Sequence, residues 1–208
     1  MASKITLKRF GTMPVVPVPR AVRAGDYIFT SSVYPVDESG RVVGLDAAQD
    51  EVRPSLMEIQ ARHCLESLKK VLAEAGASID RLLKADVHLV DPADFYEFKL
   101  VWNEYFPSNP PARTTVEVGD TLPFQGARLN IDAVALASDS SLKREVLKDP
   151  EGADPIVAEG APHAVRAGNL VFCSGLTASD FKNGLAVGKR PGLPNYGSDA
   201  EIDRKSVV

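Results

Sequence analysis

The chain has 208 residues, of which 44% are hydrophobic and 25% are charged, and its formal net charge is −4. This composition is typical of a globular protein, and the length allows one or two domains. The negative charge disfavours a general nucleic-acid-binding surface. No long apolar run marks a signal peptide or a membrane span, so neither nucleic acid nor a membrane is expected as a partner.

The N-terminal part of the chain predicts short strands and turns. Residues 4–10 begin with alternating polar and apolar side chains and predict an edge strand. Three prolines within residues 13–19 place that segment outside a sheet. Residues 24–26 predict a turn that leads into a strand at residues 27–31, and residues 37–40 predict another turn.

A long helix is predicted from Ser55, its N-terminal cap, to Gly76 at its end. Because Cys64 lies on the apolar stripe of this helix, we interpret it as a small core residue rather than a nucleophile. The other cysteine, Cys173, is distant in the chain, and the two match no metal-ligand spacing. We therefore expect no metal site and a reducing, cytoplasmic compartment.

The middle of the chain predicts further strands and a second helix. Residues 84–90 alternate as a strand, and residues 91–94 supply a cap, a proline at the first helical position and an acid in the first turn. Strands follow at residues 114–118 and 129–136. The second helix carries an aromatic stripe that indicates core packing: Phe95, Phe98, Trp102, Tyr105 and Phe106. This order of elements predicts an α+β fold with two helices on one face of a mixed sheet.

A fourteen-residue segment occurs twice. Residues 19–32 return as residues 162–175, with eight identities at one offset of 143 residues, which predicts a duplicated domain. We predict a complete domain over residues 1–137, a linker over 138–153 and a truncated second copy over 154–208. A lone hairpin is marginal in water, so we expect the second copy to be mobile or loosely docked and to be removed by limited proteolysis.

The last six residues, 203–208, have two interpretations. Their sequence, Asp-Arg-Lys-Ser-Val-Val, is what a widely used sequencing adapter encodes in one reading frame, which suggests an assembly artefact with the true gene running on. The alternative is an ordinary polar tail, since chain ends are often short and disordered. Resequencing the locus beyond codon 202 distinguishes the two interpretations.

Several segments of the first domain carry a family resemblance. Residues 111–118 (PARTTVEV), 122–123 (LP) and 129–135 (LNIDAVA), together with residues 24–31 (AGDYIFTS), resemble the signature of the RidA family, also called the YjgF family. The resemblance implies a chorismate-mutase-like α+β fold and a trimer or pseudo-trimer with sites in the clefts between subunits. It also implies hydrolysis of reactive enamines and imines of amino acids to ammonia and a 2-keto acid, without metal or cofactor.

The resemblance assigns two catalytic positions. Arg113 matches the family's carboxylate-binding arginine, whose planar fork can donate two charge-assisted hydrogen bonds; a surface salt bridge is the alternative role. Asn130 matches a glutamate that holds the attacking water, and an amide can orient water but is no useful proton acceptor. Asp132 lies on the same strand face and could substitute, although a structural role is favoured because the family usually has an acid there too.

Other substrate-binding positions also depart from the family pattern. Val18 stands at the family's tyrosine, Ser32 at a glycine where a side chain narrows the cleft, and Lys99 at an asparagine, although a solvated helix residue is its default role. Thr115 completes the predicted substrate-binding set. The second copy keeps the family pattern at residues 174–175, Ser-Gly.

Three functions are therefore compared. The leading prediction is hydrolysis of small carboxylate-bearing enamines or imines. Its rival is a non-catalytic module that binds a small carboxylate through Arg113. Endoribonuclease activity, with which some family members are labelled, is weaker because neither a basic patch nor a pair of catalytic histidines is visible.

Overall fold

The computed structural model describes residues 7–12, 18–46, 54–120, 122–147, 160–175, 179–180 and 184–185. Short 3-10 helices lie at Ile79–Arg81 and Pro92–Asp94. The helices are α1 (Leu56–Ala75) and α2 (Phe95–Tyr105). The strands are β1 (Leu7–Phe10), β2 (Ala21–Ala24), β3 (Tyr27–Thr30), β4 (Leu82–Leu89), β5 (Ala112–Glu117), β6 (Leu129–Leu136), β7 (Arg144–Val146), β8 (Ala164–Ala167), β9 (Leu170–Cys173), β10 (Ser179–Asp180) and β11 (Gly184–Leu185).

Strands β1 to β6 form one mixed sheet in the order β1-β2-β3-β6-β4-β5. Neighbouring strands are antiparallel except β4 and β5, which run parallel with Lys84 opposite Ala112. Helices α1 and α2 cover one face, and the aromatic stripe of α2 lies in the core there, with Phe98 and Trp102 fully buried. The predicted α+β fold with two helices on one face is thus confirmed.

Helix α1 begins and ends where its local sequence predicts. The Ser55 hydroxyl accepts a hydrogen bond from the Glu58 N–H at 3.2 Å, and the Glu58 carboxylate accepts one from the Ser55 N–H at 2.8 Å, which is a capping box. Gly76 ends the helix with a φ of 84°, a conformation that a residue without Cβ adopts readily. Cys64 is fully buried, as predicted for a core residue.

Helix α2 starts later than its sequence predicts. Asp91 caps a 3-10 turn at Pro92–Asp94 by accepting a backbone N–H at 2.8 Å, and α2 begins only at Phe95. Asp94, the acid expected in the first turn, lies in this 3-10 turn and is buried. Its carboxylate accepts two hydrogen bonds from the guanidinium of Arg128, which directly precedes β6, at 2.7 and 2.8 Å.

Strands β7, β8 and β9 form a second antiparallel sheet. The register of β8 with β9 repeats that of β2 with β3 at the offset of 143 residues. Ser31 and Ser174 also make equivalent bonds. In the first repeat, the Ser31 N–H donates to the carbonyl of residue 20 and the Ser31 hydroxyl to that of residue 19. In the second repeat, the Ser174 N–H donates to the carbonyl of residue 163 and the Ser174 hydroxyl to that of residue 162. The sequence repeat thus has the same local geometry in both places.

The β8–β9 hairpin packs on the sheet face opposite the helices. Val165 and Ala167 on β8 have no exposed surface. They lie in a second apolar cluster with Leu83, Ala112 and Leu136 from three strands of the first sheet. The two sheets therefore meet face to face and share a small core of their own.

Polar contacts reinforce this packing. The Tyr27 hydroxyl donates to the Ala167 carbonyl at 2.8 Å, and the Lys84 ammonium donates to the Cys173 carbonyl at 2.6 Å. The expectation that nothing covers the hairpin is therefore wrong for residues 160–175, because the first domain supplies the covering surface. The expected mobility of the second copy and its removal by limited proteolysis stay predictions.

Strand β7 lies within residues 138–153, where the sequence predicts a linker. The half-buried Arg144 guanidinium at its start donates to the carbonyls of Leu82 at 2.7 Å, Asn109 at 2.9 Å and Pro110 at 2.6 Å, and partial burial lowers the pKa of Arg144. The rest of the predicted linker, residues 148–153, lies outside the described residues. So do residues 4–6 of the predicted first strand, residues 13–17 and the tail 203–208.

Candidate functional site

Arg113 lies near the start of edge strand β5, and its side chain points beneath α2. Only 4% of the residue is exposed. Its guanidinium carbon lies 5.5 Å from the ring centroid of Phe95, 5.8 Å from that of Phe98 and 5.1 Å from that of Trp102. Three rings within cation–π distance hold the positive charge in an environment of low polarity, where an anion interacts with it more strongly than in water.

The backbone of Arg113 joins the two repeats. Its N–H donates to the Ser174 hydroxyl at 3.0 Å, and its carbonyl accepts a hydrogen bond from the Gly175 N–H at 3.0 Å. The outer edge of β5 is therefore paired with residues of the second repeat. The resemblance had singled out residues 174–175, but the sequence alone did not indicate that they lie against Arg113.

Lys84 lies at the same junction and was not predicted as a site residue. Its ammonium donates to the Thr114 hydroxyl and to the Cys173 carbonyl, and it lies 3.3 Å from the Asp86 carboxylate. The alternating pattern of residues 84–90 gave no signal for these contacts, which depend on the packing of β9 on this face of the sheet.

Asn130 faces the side of the sheet opposite Arg113. It pairs across the strands with His88, whereas its neighbours Leu129 and Ile131 point into the core beneath the helices. Asn130 is 4% exposed, and its Oδ1 has no hydrogen-bond partner among the described residues. The structure therefore places the two predicted catalytic residues on opposite faces of the sheet.

The predicted substrate-binding residues fall into separate groups. Thr115 follows Arg113 on the same face of β5, and its hydroxyl is buried with no partner in the described part of the chain. Lys99 lies half-buried on α2. Val18 and Ser32 line a cleft of about 370 Å³ beyond β3 together with Ser31, Tyr34, Pro123, Phe124 and Asp132. Strands β6 and β4 separate that cleft from Arg113.

Titratable groups elsewhere offer few alternatives. Burial raises the pKa of the Cys64 thiol, which excludes it as a ready nucleophile. His88 Nδ1 lies 3.7 Å from the Asp132 carboxylate. Among the described residues, no cluster of three or more histidine, cysteine, aspartate or glutamate side chains could hold a metal ion. No helix in the described part of the chain is long and apolar enough to cross a membrane.

The mixed sheet, its two helices and the buried arginine at its edge strand define a domain of the RidA fold class. The chain belongs to the family described as Endoribonuclease L-PSP, whose model matches residues 12–137, and this confirms the resemblance to RidA proteins. A RutC family protein of Pyrococcus abyssi is 33% identical over 119 residues, covering 57% of this chain and 86% of that protein.

Other relatives carry more specific names. A protein of Acinetobacter baylyi named 3-aminoacrylate deaminase RutC is 34% identical over 136 residues, which cover 65% of this chain and 98% of that protein. Among solved structures, a putative endoribonuclease from Thermotoga maritima is 29% identical with a TM-score of 0.52, covering 62% of this chain and 97% of that one. The structure of E. coli TdcF with bound serine is 28% identical with a TM-score of 0.51, and the match covers 62% of this chain and 94% of that one.

Proposed function

We propose that this protein binds small carboxylate-bearing enamines or imines and hydrolyses them to a 2-keto acid and ammonia. Family membership and the relative named 3-aminoacrylate deaminase support this reaction class. The observation that carries the proposal is the burial of the Arg113 guanidinium among three aromatic rings. A buried fork of this kind suits a substrate carboxylate, which offers two oxygens in one plane.

The proposed site is composite. The side chain of Arg113 comes from the first copy, and Ser174 with Gly175 comes from the second, at 3.0 Å from the Arg113 backbone. We propose that the chain arose by duplication and that this segment of the second copy takes the place that a neighbouring subunit occupies in a trimer. The matched register of the two hairpins and their equivalent hydrogen bonds support this arrangement.

In the proposed reaction the enamine first takes a proton on carbon, gives up one from nitrogen and becomes an imine. Water then adds to the C=N carbon and one of its protons passes to nitrogen, which gives a carbinolamine. The remaining hydroxyl proton passes to nitrogen as the C–N bond breaks, so that ammonia leaves and a keto group remains. Arg113 holds the carboxylate and so orients the C=N carbon toward the water. Asn130 is the weak point of this scheme, since its amide can orient water but is no useful proton acceptor, and since it lies on the sheet face opposite Arg113.

A second candidate is reversible binding of a small carboxylate without turnover. Two properties of Asn130 favour this second candidate. Its side chain is an amide rather than a carboxylic acid, and it faces away from Arg113. Both candidates require the same carboxylate grip, so they differ only in whether ammonia is released.

Two measurements test the site and separate the candidates. Calorimetry with small 2-keto acids should show binding that Arg113→Ala weakens by roughly 30-fold or more, with little recovery in Arg113→Lys because lysine lacks the planar fork. Unchanged affinity in Arg113→Ala would contradict both candidates.

The second measurement is ammonia release from an imine generated in place by an amino-acid oxidase. Asn130→Glu should raise the rate by about 100-fold if a proton acceptor at position 130 reaches the substrate, and Asn130→Gln, similar in size, should not. Binding of 2-keto acids without ammonia release in either variant would leave the carboxylate-binding module as the function.

A further inference from the structure

The two hairpins of this chain present almost the same apolar face, but in the described structure only one of them is docked. On the second hairpin, Val165 and Ala167 are fully buried against the first sheet. Their counterparts at the offset of 143, Val22 and Ala24, are only half-buried. Phe29, the counterpart of Phe172, is 41% exposed. The first hairpin of a second molecule of this chain therefore resembles the β8–β9 hairpin, which is the one that lies against the β5 edge.

One pair of residues distinguishes the hairpins where they would meet β5. The docked hairpin ends in Gly175, and the first hairpin has Ser32 at the matching position. A Cβ placed on Gly175 would lie 2.7 Å from Thr114 Cγ2 and 3.2 Å from both Cβ and Oγ1 of the same residue. These distances are shorter than van der Waals contact, so the docked geometry requires a residue without a side chain here.

We propose that Ser32 and Gly175 determine which hairpin occupies the β5 edge. Glycine admits the chain's own second hairpin, and Ser32 excludes the first hairpin of a second copy of this chain, which otherwise has a similar apolar face. The edge of β5 is thereby reserved for an intramolecular partner. This inference concerns assembly and does not depend on the proposed hydrolase function.

Thr114 cannot move aside without cost. Its hydroxyl accepts a hydrogen bond from Lys84, whose ammonium also donates to the Cys173 carbonyl on the docked hairpin. A displaced Thr114 side chain would therefore disturb a second contact across the same junction. The covalent link between the copies further favours the intramolecular hairpin. A linked hairpin competes for the β5 edge at a local concentration on the order of 1 mM.

The first test is a size exchange across the contact, carried out in the full chain. Gly175→Ala should make the amides of β5 and of β8–β9 exchange with solvent about tenfold faster or more, while the amides of α1 keep their protection. Adding Thr114→Ser to Gly175→Ala removes the nearest methyl group, keeps a hydroxyl for Lys84 and should restore most of the protection. Failure of this rescue, or a loss of protection that extends to α1, would overturn the steric argument.

The second test measures self-association by sedimentation velocity at roughly 1 to 100 µM, below the local concentration of the tethered hairpin. Gly175→Ser should displace the chain's own hairpin from the β5 edge but leaves Ser32 in the competing hairpin. The sedimenting mass of this variant should therefore equal that of the unmodified chain. Ser32→Gly alone should also leave the mass unchanged. The double exchange Ser32→Gly/Gly175→Ser should form larger assemblies as concentration rises. Equal masses for Gly175→Ser and the double exchange would refute the proposal.

Discussion

Val165 offers a quantitative check of how firmly the second hairpin is held. Its side chain is fully buried in the cluster with Leu83, Ala112 and Leu136. Val165→Ala removes two carbon atoms from this cluster, which costs about 1.6 kcal/mol at ~0.8 kcal/mol per buried carbon. The cavity that remains after partial relaxation adds a few tenths of a kcal/mol to this cost. We therefore expect the free energy of undocking to fall by about 2 kcal/mol.

Native-state hydrogen exchange of the β8–β9 amides measures this free energy directly, because those amides exchange when the hairpin opens. A loss of about 2 kcal/mol corresponds to roughly 30-fold faster exchange. The matched control is Val22→Ala, at the same position of the first repeat, where the half-buried side chain should give a loss of about 1 kcal/mol or less in β2–β3. Exchange in β8–β9 that does not change in Val165→Ala would refute the claim that apolar burial holds the hairpin.

Two further predictions concern the first domain. Ser55→Ala removes the capping box of α1 and should lower the free energy of unfolding by about 1 kcal/mol in a denaturant titration, whereas Ser78→Ala, which removes no side-chain cap, should have little effect. Hydrogen bonds from the Ser39 hydroxyl and from the backbone N–H groups of Arg41 and Ser39 lower the pKa of Asp37 to about 2. The contribution of Asp37 to stability should therefore be complete above its unfolded pKa, near 3.9, and be lost as pH falls toward 2; an NMR titration midpoint near 3.9 in the folded protein would contradict this.

Local signals explain what the sequence could predict. The ends of α1 depend on Ser55 and Gly76, which act through their own backbone neighbours, so their pattern can be read without knowing the fold. The cap, proline and acid at residues 91–94 were also predicted correctly, but the ion pair of Asp94 with Arg128, which is distant in the chain, was not. A long-range ion pair of this kind leaves no trace in the local pattern.

The candidate site was harder to predict because it depends on how separate elements pack. The motif identified Arg113, but its aromatic surroundings require α2 to lie over β5, and its contact with residues 174–175 requires the hairpin to dock. Docking itself depends on an apolar patch drawn from β4, β5 and β6, which are neighbours in the sheet, although the contributing residues Leu83, Ala112 and Leu136 are far apart in the sequence. Strand β7 falls in the predicted linker because its three residues, Arg144–Val146, are too short a pattern to distinguish a strand from a connection.

The position of the docked hairpin after the first sheet in the chain has a consequence during protein synthesis. The first sheet is complete once Leu136 has been made, but its docking partner ends about 40 residues later, at Gly175. At ~5–20 residues per second, the ribosome needs about 2 to 8 s to add that length. Throughout that interval the nascent domain exposes the apolar patch around Leu83, Ala112 and Leu136. The order of translation thus gives each new molecule a brief period in which chaperones or neighbouring nascent chains can bind a surface that the finished protein conceals.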